Sequence, residues 1–384
     1  MKKISSAVFS LLVMTSFTFI SCNNKSGSNA TESDSTTVEN PEEQPKELVA
    51  DVALNRAAMF YAGISRDGIE MNQADASAWD NYSKTIGQLI KQSEKTINGV
   101  DSIARNDFKD FRDKINYVFY PLSAADFMYP ITLYPDADCY FLCGLEKAGT
   151  IMATDVKTNF SHYEAHRKAL YTFFRSSFFI TKNMADDFDN NELDGVCSVI
   201  TMLMAIKHYD IISIKYMQVD NEGVMVEAQN KSNILEYKFF KKGSSHEQTL
   251  YYYAGDVSNE FVQDDFKRYL DFALPQFTVG TYLKAGSFLL HKEHFSILRN
   301  YILDNSLTIV EDDSGIPYRM LKDNFNITLY GKYIFPSTAF DKDKRQYDLD
   351  KLYKDGSLEI HPLPFRIGYN NPSNWLCARK KVVK

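Results

Sequence analysis

The sequence predicts an α+β fold in which blocks of helices alternate with antiparallel β-hairpins. Two observations carry this prediction: apolar residues recur at helical spacing in several long segments, and short β-branched and aromatic runs flanked by turn residues occur between them. The strands do not alternate one by one with helices, so a regular β-α-β order is not expected. Residues 48–384 exceed the usual size of one hydrophobic core, and lobes at 48–215 and 216–384 are the alternative to one large unit.

The first half of this region is predicted to be mainly helical. Asp75 is placed to cap the second helix, because a short polar side chain at a helix start can accept an N–H of the first turn. Apolar strands are expected at 115–120 and 139–145. The predicted helices are 52–63, 76–97, 100–112, 160–178, 180–188 and 194–208.

The second half is predicted to begin with two hairpins. The first joins 211–219 to 224–228 across Asp220-Asn221-Glu222-Gly223, and the second joins 233–241 to 248–254 across Lys242-Gly243-Ser244-Ser245. Further helices are expected at 260–273, about 281–291, 293–304 and 348–354. Further strands are expected at 307–311, 316–320, 326–335, 363–368 and 375–381.

Three short segments recur in the same order in the two halves, which suggests an internal duplication with two pseudo-symmetric lobes. The matching pairs are 102–106 with 296–300, Ser123 with Ser314, and 131–134 with 327–330. Chance identity of short strings is the alternative interpretation.

The N-terminus is typical of a secreted protein. Lys2 and Lys3 precede an apolar run of 14 residues from Ala7 to Ile20, which is too short to cross a membrane. Phe19-Ile20-Ser21-Cys22 resembles a bacterial lipobox, with Phe where Leu is usual. This resemblance implies cleavage of a signal peptide at 1–21 and attachment of acyl chains such as palmitate to Cys22. An ordinary cleaved signal with an incidental cysteine is the alternative.

Residues 22–47 are predicted to form a disordered tether, because they contain many Asn, Ser, Thr, Glu and Pro residues and almost no apolar side chains. Such a chain has an r.m.s. reach of roughly 25–30 Å. Removing Lys2 and Lys3 from the 43 basic residues leaves 41 against 50 acidic residues. The acidic balance and the absence of a dense basic cluster argue against nucleic-acid binding.

The best candidate for a ligand site is the segment from Glu311 to Arg319. It combines acidic residues, a Ser-Gly turn and an arginine, which could bind a cation or a polar ligand. A tight turn is the alternative, because Asp, Ser and Gly also favour sharp chain reversals. If the lobes are related, the loop at 120–127 and the loop at 311–319 could line one acidic cleft. The candidate ligand-binding residues are Ser123, Asp126, Asp312, Asp313, Ser314 and Arg319.

Metal and cofactor sites are not predicted. The pairs His162/His166 and His291/His294 each lack a third placed ligand, and the glycine patterns of nucleotide-binding loops and hydrolase nucleophile elbows are absent from the sequence. Export would permit disulfides, but the sequence leaves the pairing of the downstream cysteines open. These are Cys139, Cys143, Cys197 and Cys377.

Four segments together resemble a family of exported bacterial proteins and lipoproteins for which no activity is established. They are 120–127 (YPLSAADF), Gly144-Leu145-Glu146, 311–319 (EDDSGIPYR) and 329–333 (LYGKY). The family shows approximate YPFSGxDF, GLE, QDDSGIPYR and LYGxY segments in this order, and this chain departs from it at Ala124-Ala125 and at Glu311. The resemblance implies location and fold kinship only.

We therefore expect a lipoprotein of the bacterial envelope, held in the outer membrane through Cys22 and facing the periplasm or the exterior. A binding or scaffold module without enzymatic activity, acting on an envelope protein or a small polar ligand, is the leading prediction. The alternative is an envelope hydrolase with an acidic cleft formed by the loops at 120–127 and 311–319.

Overall fold

Helices cover both faces of one mixed β-sheet, and the predicted α+β class is confirmed. The computed structural model describes residues 47–152, 154–156, 158, 160–179, 193–262, 264–286, 288–336 and 344–381. Within this part of the chain there are ten α-helices and eleven strands, and the strands form a single sheet. The described residues belong to one compact unit.

The longest helix is continuous where two helices were predicted. The helices are α1 (Val52–Tyr61), α2 (Gln73–Asn106), α3 (Lys109–Arg112), α4 (Met128–Leu133), α5 (Phe160–Ser176), α6 (Cys197–Ile206), α7 (Asp264–Ala273), α8 (Ser296–Asn305), α9 (Tyr318–Leu321) and α10 (Tyr347–Lys354). The cap of α2 is Asn72, whose side-chain oxygen accepts the N–H of Asp75 at 2.8 Å. The prediction that Asp75 caps this helix is therefore wrong, because the helix begins at Gln73, three residues earlier than predicted.

Five neighbouring strands at the centre of the sheet are parallel. In chain order, the eleven strands of the sheet are β1 (Tyr117–Tyr120), β2 (Cys139–Gly144), β3 (Tyr209–Val219), β4 (Met225–Glu227), β5 (Ile234–Lys241), β6 (Glu247–Ala254), β7 (Val279–Leu283), β8 (Ser306–Glu311), β9 (Phe325–Gly331), β10 (Ile360–His361) and β11 (Asn374–Lys380). Their spatial order is β10-β9-β11-β8-β7-β1-β2-β6-β5-β3-β4. Neighbouring strands from β8 to β6 pair in parallel, whereas β11 and β5 pair antiparallel to this block.

Strands β1 and β2 at the centre of the sheet consist almost entirely of apolar and aromatic residues, because both faces of the sheet are covered there. In β1, Tyr117 and Phe119 belong to one hydrophobic core, and Val118 and Tyr120 belong to the other. The core that contains Val118 and Tyr120 lies between the sheet and helices α1, α2, α4, α5 and α6. The core that contains Tyr117 and Phe119 lies between the sheet and helices α7, α8 and α10. Burial of each such side chain contributes about 1.5–3 kcal/mol, so the sheet's centre is the most stable part of the frame that positions its loops.

Three predicted elements are wrong. Residues 279–283 form a strand instead of the start of a helix at 281–291, because Val279–Leu283 is buried between β1 and β8. The strand predicted at 316–320 is instead α9, which begins directly after Pro317. The strand predicted at 363–368 is irregular, and Phe365 packs against α2 at Gly99. The helix predicted at 180–188 lies outside the described residues.

The two predicted hairpins are confirmed, but the duplication is not shown. Strand β3 pairs antiparallel with β4, and β5 pairs antiparallel with β6. Of the matched segments, 131–134 lies at α4 whereas 327–330 lies in β9, so this pair does not occupy equivalent elements.

The cysteines of the described region are free, buried thiols. Burial raises the pKa of the Cys143 and Cys197 thiols. A neutral buried thiol behaves as a small apolar side chain, which is the role of Cys143 in β2 and Cys197 in α6.

Candidate functional site

The parallel strands bring the ends of five chain segments to one edge of the sheet. Because β8, β7, β1, β2 and β6 run in the same direction, the residues that follow them meet outside their carboxyl ends. In open sheets with helices on both faces, this edge is where ligands usually bind. The loop at 120–127 follows β1, and the loop at 311–319 follows β8.

A cavity of about 200 Å³ lies at this edge. The loops after β1, β2, β6 and β7 line it together with residues near the C-terminal end of α5. Its apolar wall includes Leu122, Phe178, Leu289 and Phe295. Its acidic and basic side chains are Asp126, Glu146, Asp256 and Lys284. Only Asp126 among these four was predicted from the sequence.

A buried ion pair forms one part of the cavity wall. The Nζ of Lys284 lies 2.7 Å from Oδ2 of Asp126, and each side chain is only 1% exposed. Lys284 comes directly after β7, and Asp126 comes directly before the first turn of α4. Strand β7 therefore positions the ammonium group, and the start of α4 positions the carboxylate.

Each member of the pair has additional partners. Asp126 accepts the hydroxyl of Tyr120 at 3.2 Å and the N–H of Tyr129 at 3.2 Å. Lys284 donates to the carbonyl of Ser177, and its Nζ lies 3.4 Å from the ring centroid of Tyr129. Burial raises the pKa of Asp126 against the opposing effect of Lys284, and burial lowers the pKa of Lys284. The pair is thus a desolvated, fully coordinated unit.

Glu146 is the second carboxylate of the cavity wall. It is 8% exposed, and burial raises its pKa. Its Oε2 has no hydrogen-bond partner among the residues that the structure describes. In the sequence, Glu146 stands out only as part of the Gly-Leu-Glu segment, since a lone Glu after a strand carries no signal for burial.

The loop at 311–319 forms hydrogen bonds with the segment after β7, which lines the cavity. The N–H of Ala285 donates to Oδ2 of Asp312 at 3.0 Å, and the N–H of Gly286 donates to the hydroxyl oxygen of Ser314 at 2.9 Å. The Ser314 N–H in turn donates to Oδ1 of Asp312 at 3.0 Å. Asp312 and Ser314 therefore hold the segment that carries Lys284.

Asp313 is also buried, and the side-chain amides of two asparagines bind its carboxylate. Its carboxylate accepts from Nδ2 of Asn370 at 3.1 Å and from Nδ2 of Asn374 at 3.0 Å. Burial first, and then the neighbouring charge of Asp312, raises the pKa of Asp313 to about 7. Glu311 accepts the N–H of Ile316 at 2.8 Å, and burial also raises its pKa. These hydrogen bonds within and around the loop favour the tight-turn interpretation of the segment.

The predicted site residues therefore separate into three groups. Ser123 and Asp126 lie on the cavity wall. Asp312, Asp313 and Ser314 are buried in the supporting loop, and Arg319 is exposed on α9. Within the described part of the chain, the lining of this cavity includes the loop at 120–127 but not the loop at 311–319. The sequence did not predict three residues of the cavity wall, namely Lys284, Glu146 and Asp256. Lys284 was assigned to the helix predicted at about 281–291, whereas it directly follows strand β7.

Histidines of both predicted pairs pack against aromatic side chains of the fold. His162 and His166 lie on α5, and the ring of His166 stacks on Tyr61 with centroids 4.8 Å apart. Burial, followed by the charges of Arg319 and Lys344, lowers the pKa of His291 to about 4. In the described ranges, no cluster of three or more His, Cys, Asp or Glu residues is arranged to hold a metal ion.

The predicted lipidation site, Cys22, and residues 22–46 of the predicted tether lie outside the described residues. Of the helices that the structure does describe, none combines the length and hydropathy needed to cross a bilayer. No protein-family model, curated protein or solved structure matches this chain.

Proposed function

We propose that this chain is an envelope lipoprotein whose globular unit binds a small molecule in the cavity at the carboxyl edge of the sheet. The observation that carries the proposal is the cavity itself, which combines aromatic walls with the fixed Lys284–Asp126 pair. Apolar walls with a few convergent polar groups are typical of small-molecule sites. Anchoring through Cys22 is the sequence-based part of the proposal and places the cavity at the cell envelope.

A binding role has more support than hydrolysis. The hydroxyl of Ser123 donates toward the carbonyls of Cys143 and Ala124, each at 3.0 Å, instead of facing a general base. A serine nucleophile requires a base within hydrogen-bond range, and no histidine is among the described residues that line the cavity. The hydrolase alternative needs an acidic cleft lined by the loops at 120–127 and 311–319. The loop at 311–319 instead accepts hydrogen bonds from the N–H groups of Ala285 and Gly286.

The test is a screen of small fragments against the full-length chain, followed by calorimetry on the hits. Leu289 lies on the cavity wall and is only half-buried, so Leu289→Trp should fill the cavity with little cost to folding. Leu358→Trp is the matched control, because Leu358 is half-buried outside the cavity lining. We expect fragments that bind the wild type and Leu358→Trp but not Leu289→Trp. A screen without hits, or hits that ignore Leu289→Trp, would contradict the proposal.

A further inference from the structure

Gly144 makes room for the carboxylate of Glu146 at the end of β2. A Cβ at position 144 would lie 2.4 Å from Oε2 of Glu146 and 2.6 Å from the hydroxyl of Tyr252. The Tyr252 hydroxyl also donates to the backbone carbonyl of Glu146 at 2.9 Å, which fixes the chain after the strand. In the Gly-Leu-Glu segment, the glycine therefore lets the carboxylate of Glu146 fold back over the end of β2, at the wall of the cavity.

This carboxylate has an unused acceptor. Glu146 is more than nine-tenths buried, yet its Oε2 has no donor within the described part of the chain. Leaving a buried charged acceptor without a partner is costly, and a ligand that supplies a donor would remove this cost. Glu146 is one of the residues that line the cavity, so a ligand that enters there lies beside this carboxylate.

The charges of the cavity favour a cation. Among the described residues that line the cavity, three carry a carboxylate, namely Asp126, Glu146 and Asp256, and one carries an ammonium group, namely Lys284. Lys284 and Asp126 neutralise each other at 2.7 Å. Asp256 is only half-buried, and its Oδ1 already accepts the N–H of Ser258 at 2.8 Å. The negative charge that remains is shared by Glu146, which is buried beside the apolar wall, and the more exposed Asp256.

We propose that the cavity selects a small molecule with a primary ammonium group and an aromatic or aliphatic body, and that Glu146 binds the ammonium. This inference rests on the proposed function and names the ligand class for the same cavity. The apolar body packs against Phe178, Leu289 and Phe295, while the ammonium donates to the carboxylate of Glu146.

The test compares three probes of nearly equal shape by calorimetry on the full-length chain. They are phenethylammonium, phenethyl alcohol and hydrocinnamate, which carry a positive, a neutral and a negative head group. We expect the ammonium probe to bind about tenfold or more tightly than the alcohol, and the carboxylate to bind most weakly. This preference is measured on the wild type, so it does not depend on the folding of a variant.

The residue assignment is tested with Glu146→Gln, which keeps the shape of the side chain and removes its charge. We expect Glu146→Gln to abolish the preference for the ammonium probe while phenethyl alcohol binds as before. Glu260→Gln is the matched control, because Glu260 is exposed and outside the cavity lining. Equal affinities for the three probes, or an unchanged ammonium affinity in Glu146→Gln, would overturn the inference. If fragments bind in the cavity without a preference for cations, only this inference fails; if nothing binds there, the proposed function fails as well.

Discussion

Replacing Asp126 by Asn removes the negative member of the buried pair and leaves the Lys284 ammonium in the protein interior. In the native structure Lys284 and Asp126 are each 1% exposed, with 2.7 Å between Nζ and Oδ2, so solvent cannot take over the role of the lost carboxylate. Asparagine preserves the size of the side chain and an oxygen for the Tyr129 N–H. The perturbation therefore tests the charge and not the packing.

The expected loss in the free energy of unfolding is about 3 kcal/mol. Removing one partner of a buried ion pair typically costs about 3–5 kcal/mol, because it leaves an uncompensated charge. Lys284 keeps the carbonyl of Ser177 and the ring of Tyr129, whose centroid is 3.4 Å from Nζ. A buried cation–π contact contributes about 2 kcal/mol, so the loss should lie at the lower end of that range.

Urea denaturation of the full-length chain measures this loss. The control is Asp67→Asn, which changes an exposed carboxylate and should alter stability by less than about 0.5 kcal/mol. The double variant Asp126→Leu/Lys284→Met should recover most of the stability, because replacing both charges by apolar groups removes the desolvation cost. A loss below about 1 kcal/mol for Asp126→Asn, or a double variant no more stable than the single one, would refute the reasoning.

Three further outcomes are expected. The pKa of Asp313 is raised from its ordinary value of 3.8 to about 7. Between these pH values the folded state holds a proton that the unfolded state has released, so the free energy of unfolding falls as the pH rises toward 7. In urea denaturation series, Asp313→Asn should therefore gain up to about 4 kcal/mol relative to the wild type across this window, whereas Asp67→Asn should stay parallel to the wild type. Gly144→Ala should lower stability by about 1–3 kcal/mol in thermal or urea denaturation, because its Cβ would lie 2.4 Å from Oε2 of Glu146; Gly87→Ala, which meets nothing within 4 Å, should not destabilise the chain. Cys22→Ala should abolish the incorporation of labelled palmitate in the native host, and persistent labelling would place the lipid elsewhere.

Local sequence patterns predicted many of the elements correctly. The hairpins at β3/β4 and β5/β6 follow from alternating strand residues and turn residues that lie close together in the sequence. The errors at 281–291 and 316–320 have a different origin. Val279–Leu283 is a strand because β1 and β8 lie on its two sides, and this information is not contained in the segment itself.

The candidate site was predicted only in part for the same reason. Asp126 was predicted as a ligand-binding residue because it lies in the loop at 120–127, and it does line the cavity. Lys284 is separated from Asp126 by 158 positions in the sequence, and only the pairing of β1 with β7 brings their loops together. Asp312 and Ser314 were predicted as ligand groups, but their oxygens are used by the N–H groups of Ala285 and Gly286.

The sequence by itself determined the α+β class, the acidic charge and the expectation of a lipid anchor at Cys22, because each depends on composition or on residues that are neighbours in the chain. The tertiary structure decided the parallel centre of the sheet, the cavity at its carboxyl edge and the pairing of Lys284 with Asp126. These features depend on contacts between segments far apart in the sequence, and on burial, which turns ordinary Lys, Asp and Glu residues into a desolvated site.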